Sequence, residues 1–282
     1  MCEFCHKHGE GEKWYLQAKN YSDDLLNDLR RRKFIDNLGL ELKALMKEDK
    51  KFGRLHKMPT FIRDVLTPYL SNKRKKTHFG QVVPIEDIER IFNFSNKIVR
   101  LACACRNVRF GSDKERYCYG VSLSPQGGIY QKRIEAIDPN YSKGPDTTDI
   151  EVLTKEAALD YFRQYEKEGL CHTVWTFVTP FIGGICNCDR TDCNAMLANM
   201  HYGVPVMFRA EYVAEVNPEL CNGCRQCMRV CQFGAIGYGA ANKKIEIDKR
   251  QCYGCGICRS SCTKDAITLL ERSSLPAVSN IW

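Results

Sequence analysis

No apolar run in the 282-residue sequence is long enough to cross a bilayer, and the opening residues Met1-Cys2-Glu3-Phe4-Cys5-His6 lack the apolar core of a secretory signal. A protein of the cytoplasm is expected. The sequence also lacks a glycine-rich dinucleotide fingerprint and a P-loop, and its six histidines join no assignable nucleophile–histidine–acid set. No flavin, nicotinamide or nucleotide is therefore implied, and no residue is assigned as catalytic. Two basic runs, Arg30-Arg31-Arg32-Lys33 and Lys73-Arg74-Lys75-Lys76, come without any RNA- or DNA-binding motif. They read as solvated faces or as docking surface for an acidic redox partner, with no nucleic acid involved.

Cysteine is abundant instead. Seventeen cysteines in a chain of 44% hydrophobic composition point to metal ligation, because disulfides are rare in the cytoplasm, and to an anaerobic or strongly reducing cell. Eight of them form two runs of identical spacing, Cys221-x-x-Cys224-x-x-Cys227-x-x-x-Cys231 and Cys252-x-x-Cys255-x-x-Cys258-x-x-x-Cys262. The runs belong to an internal repeat in which Ala235-Ile236 recurs as Ala266-Ile267, and a β-like stretch precedes each, Val213 to Val216 and Ile245 to Ile247.

Residues 211–270 thus resemble the two-cluster bacterial ferredoxins. In that family three cysteines of a run hold one [4Fe–4S] cube and the fourth reaches the other cube. The resemblance implies Cys221, Cys224, Cys227 and Cys262 on the first cluster, and Cys231, Cys252, Cys255 and Cys258 on the second. Thiolates are the soft ligands that cluster iron prefers; structural zinc is the alternative for paired Cys-x-x-Cys motifs. Where the family has proline after the fourth cysteine, Gln232 and Thr263 stand here. Each keeps a backbone N–H that proline lacks, so an added N–H···S contact or nearer water is expected to shift the potential from the family's very low one. Two oxidised cubes, each about −2 with its thiolates, bring the formal charge of +8 to roughly +4.

The other cysteines suggest further sites. Cys103-x-Cys105 and Cys186-x-Cys188 each end a strand-like run and present two thiols from one tight loop, with Cys193 as a fifth ligand and Cys118 as a weaker sixth. A third [4Fe–4S] cluster, a zinc site and free or redox-active thiols are the open readings. Cys171 reads as a small hydrophobe and His172 as a hydrogen-bonded core residue. At the N-terminus, Cys2 and Cys5 with His6 and His8 suit part of a metal site or an incidental terminus; c-type haem attachment, which shares that spacing, takes place outside the cytoplasm.

Patterning places a helix from Tyr21 to about Lys50 with Ser22 as its cap, a short helix after Pro59, an exposed loop over Lys73 to Gly80, and a helix opening at Pro84. A strand leads into Cys103, and a helix capped by Thr154 ends at Gly169. The fold expected is α+β: a mixed α/β cysteine-rich part followed by a ferredoxin-like domain. Its regions are helical 1–80, cysteine-rich 81–210, dicluster 211–270 and a tail 271–282.

Gly80-Gln81-Val82-Val83-Pro84, Leu101-Ala102-Cys103-Ala104-Cys105-Arg106, Glu168-Gly169-Leu170-Cys171-His172 and Ile185-Cys186-Asn187-Cys188 occur in this order. Over residues 80–270 the chain is similar to uncharacterised ferredoxin-fused 4Fe–4S proteins of anaerobes. That resemblance carries no settled reaction. Members of that group often carry extra cysteines around the Cys-Asn-Cys motif; here Asp189 and Asp192 stand among them, which leaves the ligand set of a third site open. The function expected is single-electron relay to or from a partner oxidoreductase or a larger complex. The alternative is a redox enzyme or subunit with a substrate-active Cys-x-Cys cluster or thiol site fed by the two cubes.

Overall fold

A computed structural model describes residues 13–37, 52–111, 115–135 and 150–281. Cys2, Cys5, His6 and His8 lie outside the described residues, as do the second part of the expected Tyr21–Lys50 helix and Trp282. Among the described residues no helix is long and apolar enough to cross a membrane.

A seven-stranded sheet forms the middle layer, in the order β4-β2-β3-β6-β5-β1-β7. Its strands are β1 Gly80–Val82, β2 Lys97–Leu101, β3 Cys118–Ser122, β4 Ile150–Leu153, β5 Cys171–Thr176, β6 Ile182–Cys188 and β7 Met207–Phe208. All pairings are antiparallel except β1 with β7. Side chains alternate across the sheet. His172, Val174 and Ile185 therefore face one way; Cys171, Thr173, Trp175, Cys186 and Cys188 face the other.

The first face is covered by helices Ile85–Phe94 and Lys155–Glu168, whose Ile88, Ile91, Phe92, Ala158 and Phe162 join the main core. The second helix starts where Thr154 Oγ1 accepts the Ala157 N–H at 3.2 Å, and stops at Gly169 with φ 86°. Trp14, Tyr15 and Tyr21 enter the same core from residues 13–37. There the sequence pattern differs from the outcome. Ser22 caps only a 3-10 turn, Asp23–Asn27, and the helix proper, Leu29–Asp36, begins at Asp28, whose carboxylate accepts the Arg30 and Arg31 N–H groups. Arg31 is buried and donates to the carbonyls of Phe177 and Val178, so the first basic run is not wholly solvated. The basic run at 73–76 forms the last turn of helix Thr60–Lys75 and its cap rather than a loop. Cations favour that end of a helix dipole.

The second face of the sheet is covered by the C-terminal unit. Here β8 Tyr212–Val216 pairs with β11 Ile267–Glu271, and β9 Ile236–Gly239 pairs with β10 Lys244–Ile247. Each repeat half thus lends its leading strand to the trailing strand of the other. Two loop glycines at equivalent positions make this possible. Gly223 (φ 70°) and Gly254 (φ 71°) are left-handed, and a Cβ there would overlap the carbonyl oxygens of Lys243 and Tyr212 respectively.

Polar groups join the two parts. Gln232 Nε2 donates to Gly169 O at 2.6 Å while its Oε1 accepts the Arg190 N–H at 3.0 Å. Arg259 reaches Glu86 at 2.5 Å, and Tyr212 donates to Asp87 at 3.2 Å. Buried Glu166 accepts the Ser260 hydroxyl at 2.8 Å, and its other oxygen lies 3.7 Å from His172 Nε2. Burial pulls the Glu166 pKa up, but the His172 ring, the Ser260 hydroxyl and the Arg259 charge outweigh it and hold the carboxyl below its ordinary value.

A carboxyl of that kind stabilises the fold above its ordinary titration range and loses the contribution as pH falls through its lowered value. Acid unfolding of Glu166→Gln is therefore expected to depend less steeply on pH over that window than the parent, with lower stability at neutral pH; superimposable profiles would contradict this. Separately, Gly254→Ala is expected to cost at least about 2 kcal/mol in chemical unfolding, because strain and overlap add.

Candidate iron–sulfur centres

Two cavities lie in the C-terminal unit. One is lined by Cys221, Cys224, Cys227 and Cys262. The other is lined by Cys231, Cys252, Cys255 and Cys258. The eight thiols therefore divide into the same two groups of four that the ferredoxin spacing implies. The exchange of the fourth cysteine accompanies the exchange of strands. Helices Gln226–Val230 and Ile257–Ser260, at equivalent repeat positions, carry Cys227 and Cys258.

The donor set suits a cluster. Burial pushes the Cys227 thiol up to about 11, and it pushes Cys255 and Cys258 up as well, with each neighbouring cysteine adding to the effect. Bare thiolates are unstable so close together, and cluster iron supplies the positive charge that holds them ionised. Backbone N–H groups of Ala214 and Gly254 point at Cys252 Sγ, and that of Ala266 points at Cys262 Sγ, each at 3.4 Å. Gln232, one of the two residues standing where the family has proline, uses its side chain to fasten the unit to the sheet part, as described above.

Two residues without a sequence signal flank the second cavity. Arg272 is fully buried and donates to the carbonyls of Ala210, Tyr212 and Cys252 at 2.9, 2.7 and 3.1 Å. Burial lowers its pKa to about 10, which leaves it a cation at neutral pH. Arg209 also donates to the Cys252 carbonyl, at 3.2 Å, and lies over the Tyr253 ring.

On the sheet, the remaining candidates converge. Cys118 stands directly opposite Cys186 in the β3–β6 register, and their Sγ atoms are 3.7 Å apart. Cys188 and Cys193 Sγ are 3.4 Å apart. Contact with Cys118, then burial, pushes the Cys103 thiol up; contact with Cys193, then burial, does the same for Cys105. Cys118, the weaker candidate by sequence, thus sits among the others. The signal for it was alternation, since Tyr119 faces the main core and Cys118 the opposite side. Asp189 and Asp192 are engaged by Arg106, which pairs with Asp189 and reaches Asp192 at 3.2 Å, and they stand as its counter-ions. Cys171, opposite Cys188, is fully buried, and His172 Nδ1 lies 2.7 Å from Asn187 Oδ1. Among the described residues no group of three or more His, Cys, Asp or Glu side chains is arranged to hold a single metal ion.

Comparison with known proteins settles the class of the C-terminal unit. Positions 220–267 match the 4Fe-4S dicluster domain family. This stretch is a 4Fe-4S dicluster domain. The chain is similar to the archaeal-type glutamate synthase [NADPH] of Thermotoga maritima, 34% identical over 59 residues, which is 21% of this chain and 12% of the relative. It is also similar to the indolepyruvate oxidoreductase subunit IorA of Pyrococcus horikoshii, 33% identical over 63 residues, which is 22% of this chain and 10% of the relative. The match thus spans about a tenth of the length of the curated relatives. The dicluster domain supports an iron–sulfur electron-transfer role.

Arg272 and Arg209 bring positive charge to the second cavity of the dicluster domain. A buried cation stabilises the reduced, more negative cluster. Arg272→Gln is expected to lower the midpoint potential of one cluster and leave the other near its parent value, as read by an EPR-monitored redox titration. Equal shifts in both, or none, would contradict this placement.

Proposed function

We propose that this protein relays single electrons between a partner oxidoreductase and its own cysteine-rich N-terminal module in anaerobic metabolism. Cys221, Cys224, Cys227 and Cys262 hold the first [4Fe–4S] cluster, and Cys231, Cys252, Cys255 and Cys258 the second. Each cube supplies one-electron chemistry between its 2+ and 1+ core states. The chain's own residues bind the cubes, exclude water and set the potentials. Four regions share the work: 1–80, 81–210, the dicluster unit 211–270 and the tail 271–282.

One observation carries the direction of the relay. Cys224, on the first cavity, is exposed, whereas Cys231 and Cys255, on the second, pack in one buried cluster with Cys171, Cys188 and Cys193 of the sheet. The first cluster is then the port to a partner and the second is the link to the module. Both cavities border one core that includes Cys221, Cys227, Cys252 and Cys258. The oxidoreductase names of the relatives support a partner of that class.

Cys224→Ala is expected to lose the first cluster or leave it as a three-iron form, and to slow electron delivery from an external reductant at least tenfold while the second cluster remains. Full iron content with both reduced-cluster EPR signals in that variant would overturn the ligand assignment.

A further inference from the structure

The two Cys-x-Cys motifs of the N-terminal module do not act as two separate pairs. Cys103-x-Cys105 sets Cys103 beside Cys118 and Cys105 beside Cys193. Cys186-x-Cys188 likewise sends Cys186 to Cys118 and Cys188 to Cys193. The thiols therefore form two lobes, Cys103–Cys118–Cys186 and Cys105–Cys193–Cys188. Each motif contributes one thiol to each lobe.

The spacing within a lobe differs from that in the dicluster domain. Around the two cavities the four cysteines of each group line one open space, as one ligand per corner of a cube requires. In the module two pairs of thiols touch, Cys118 with Cys186 and Cys188 with Cys193. Two thiolates on one tetrahedral metal, with metal–sulfur bonds of about 2.3 Å, stand about 3.8 Å apart. The Cys118–Cys186 and Cys188–Cys193 separations, 3.7 and 3.4 Å, are close to that edge. A structural zinc ion needs four protein donors converging on one point, and among the described residues no three do so. Two protein thiolates complete a tetrahedral iron when two inorganic sulfides fill its other positions.

We propose that the module holds a [2Fe–2S] centre, one iron in each lobe, with Cys118 and Cys186 on the first iron and Cys188 and Cys193 on the second. Cys103 and Cys105 flank the two irons, and the Arg106 guanidinium, 3.6 Å from Cys103 Sγ, brings positive charge to one end. The centre adjoins the second cluster. Cys171, in register with Cys188, packs in one buried cluster with Cys231 and Cys255, and the Phe233 and Tyr253 rings stack at 4.0 Å in the same cluster. The step is a one-electron exchange without protons: a reduced cube returns from 1+ to 2+ as the two-iron core passes from 2+ to 1+. This role as the inner terminus rests on the relay reading; the identity of the centre does not.

The test is metal and sulfide analysis with Mössbauer and EPR spectroscopy on the full chain purified without oxygen. About ten irons and ten sulfides are expected. A two-iron Mössbauer component is expected beside the cubes, together with an EPR signal that, on reduction, survives to temperatures where cube signals have relaxed away. The double variant Cys118→Ala with Cys186→Ala should lose about two irons and that signal and keep about eight. About twelve irons with a third cube spectrum, about eight irons with one zinc, or about eight irons and no other metal would each overturn the proposal. The wild-type spectra decide even where the variant does not fold. Failure of the relay reading would show separately, as a two-iron core that stays oxidised while the cubes are reduced.

Discussion

Crowded, buried thiols are the constraint on which the molecule depends. Fifteen described cysteines lie in the dicluster domain and on or beside the face of the sheet that meets it, and burial and mutual contact make ionisation of most of them unfavourable. An apolar core of protonated thiols would need none of the devices seen here: left-handed glycines that let carbonyls close on the loops, N–H groups aimed at sulfur, and the Arg272 guanidinium buried beside Cys252. These devices make sense if the thiols are ionised and held by iron, because each then offsets negative charge in a medium of low dielectric.

The docking of the two parts follows from the same requirement. A sheet face carrying Cys171, Cys186 and Cys188 cannot be left to solvent if its thiols are to serve a centre, and the dicluster domain covers it. Gln232, Ser260, Arg259 and Tyr212 supply directional contacts around this apolar contact, and each meets a group on the helical side or loops of the sheet part. An interface fixed in this way sets the second cluster at a constant position relative to the module, which electron transfer by through-space coupling demands.

Much of this was legible in the sequence. The doubled cysteine runs and their repeat marked the dicluster domain, and Thr154 and Gly169 bounded a helix correctly because a side-chain cap and a left-handed glycine are local devices. Long-range features were not legible. That Cys118 lies opposite Cys186 depends on strand register between segments 68 positions apart. Arg272 acts only through tertiary burial. At Asp28 a local competition went the other way: its carboxylate captured two N–H groups, and the helix began there instead of at Ser22.

EPR spectroscopy of the fully reduced protein tests the central claim most directly. Two paramagnetic cubes sharing one small core, the second against the module, must interact magnetically. The account predicts a broadened, split spectrum that collapses to simple signals when only one cluster is reduced. Two sharp, independent signals that merely add at full reduction would contradict it.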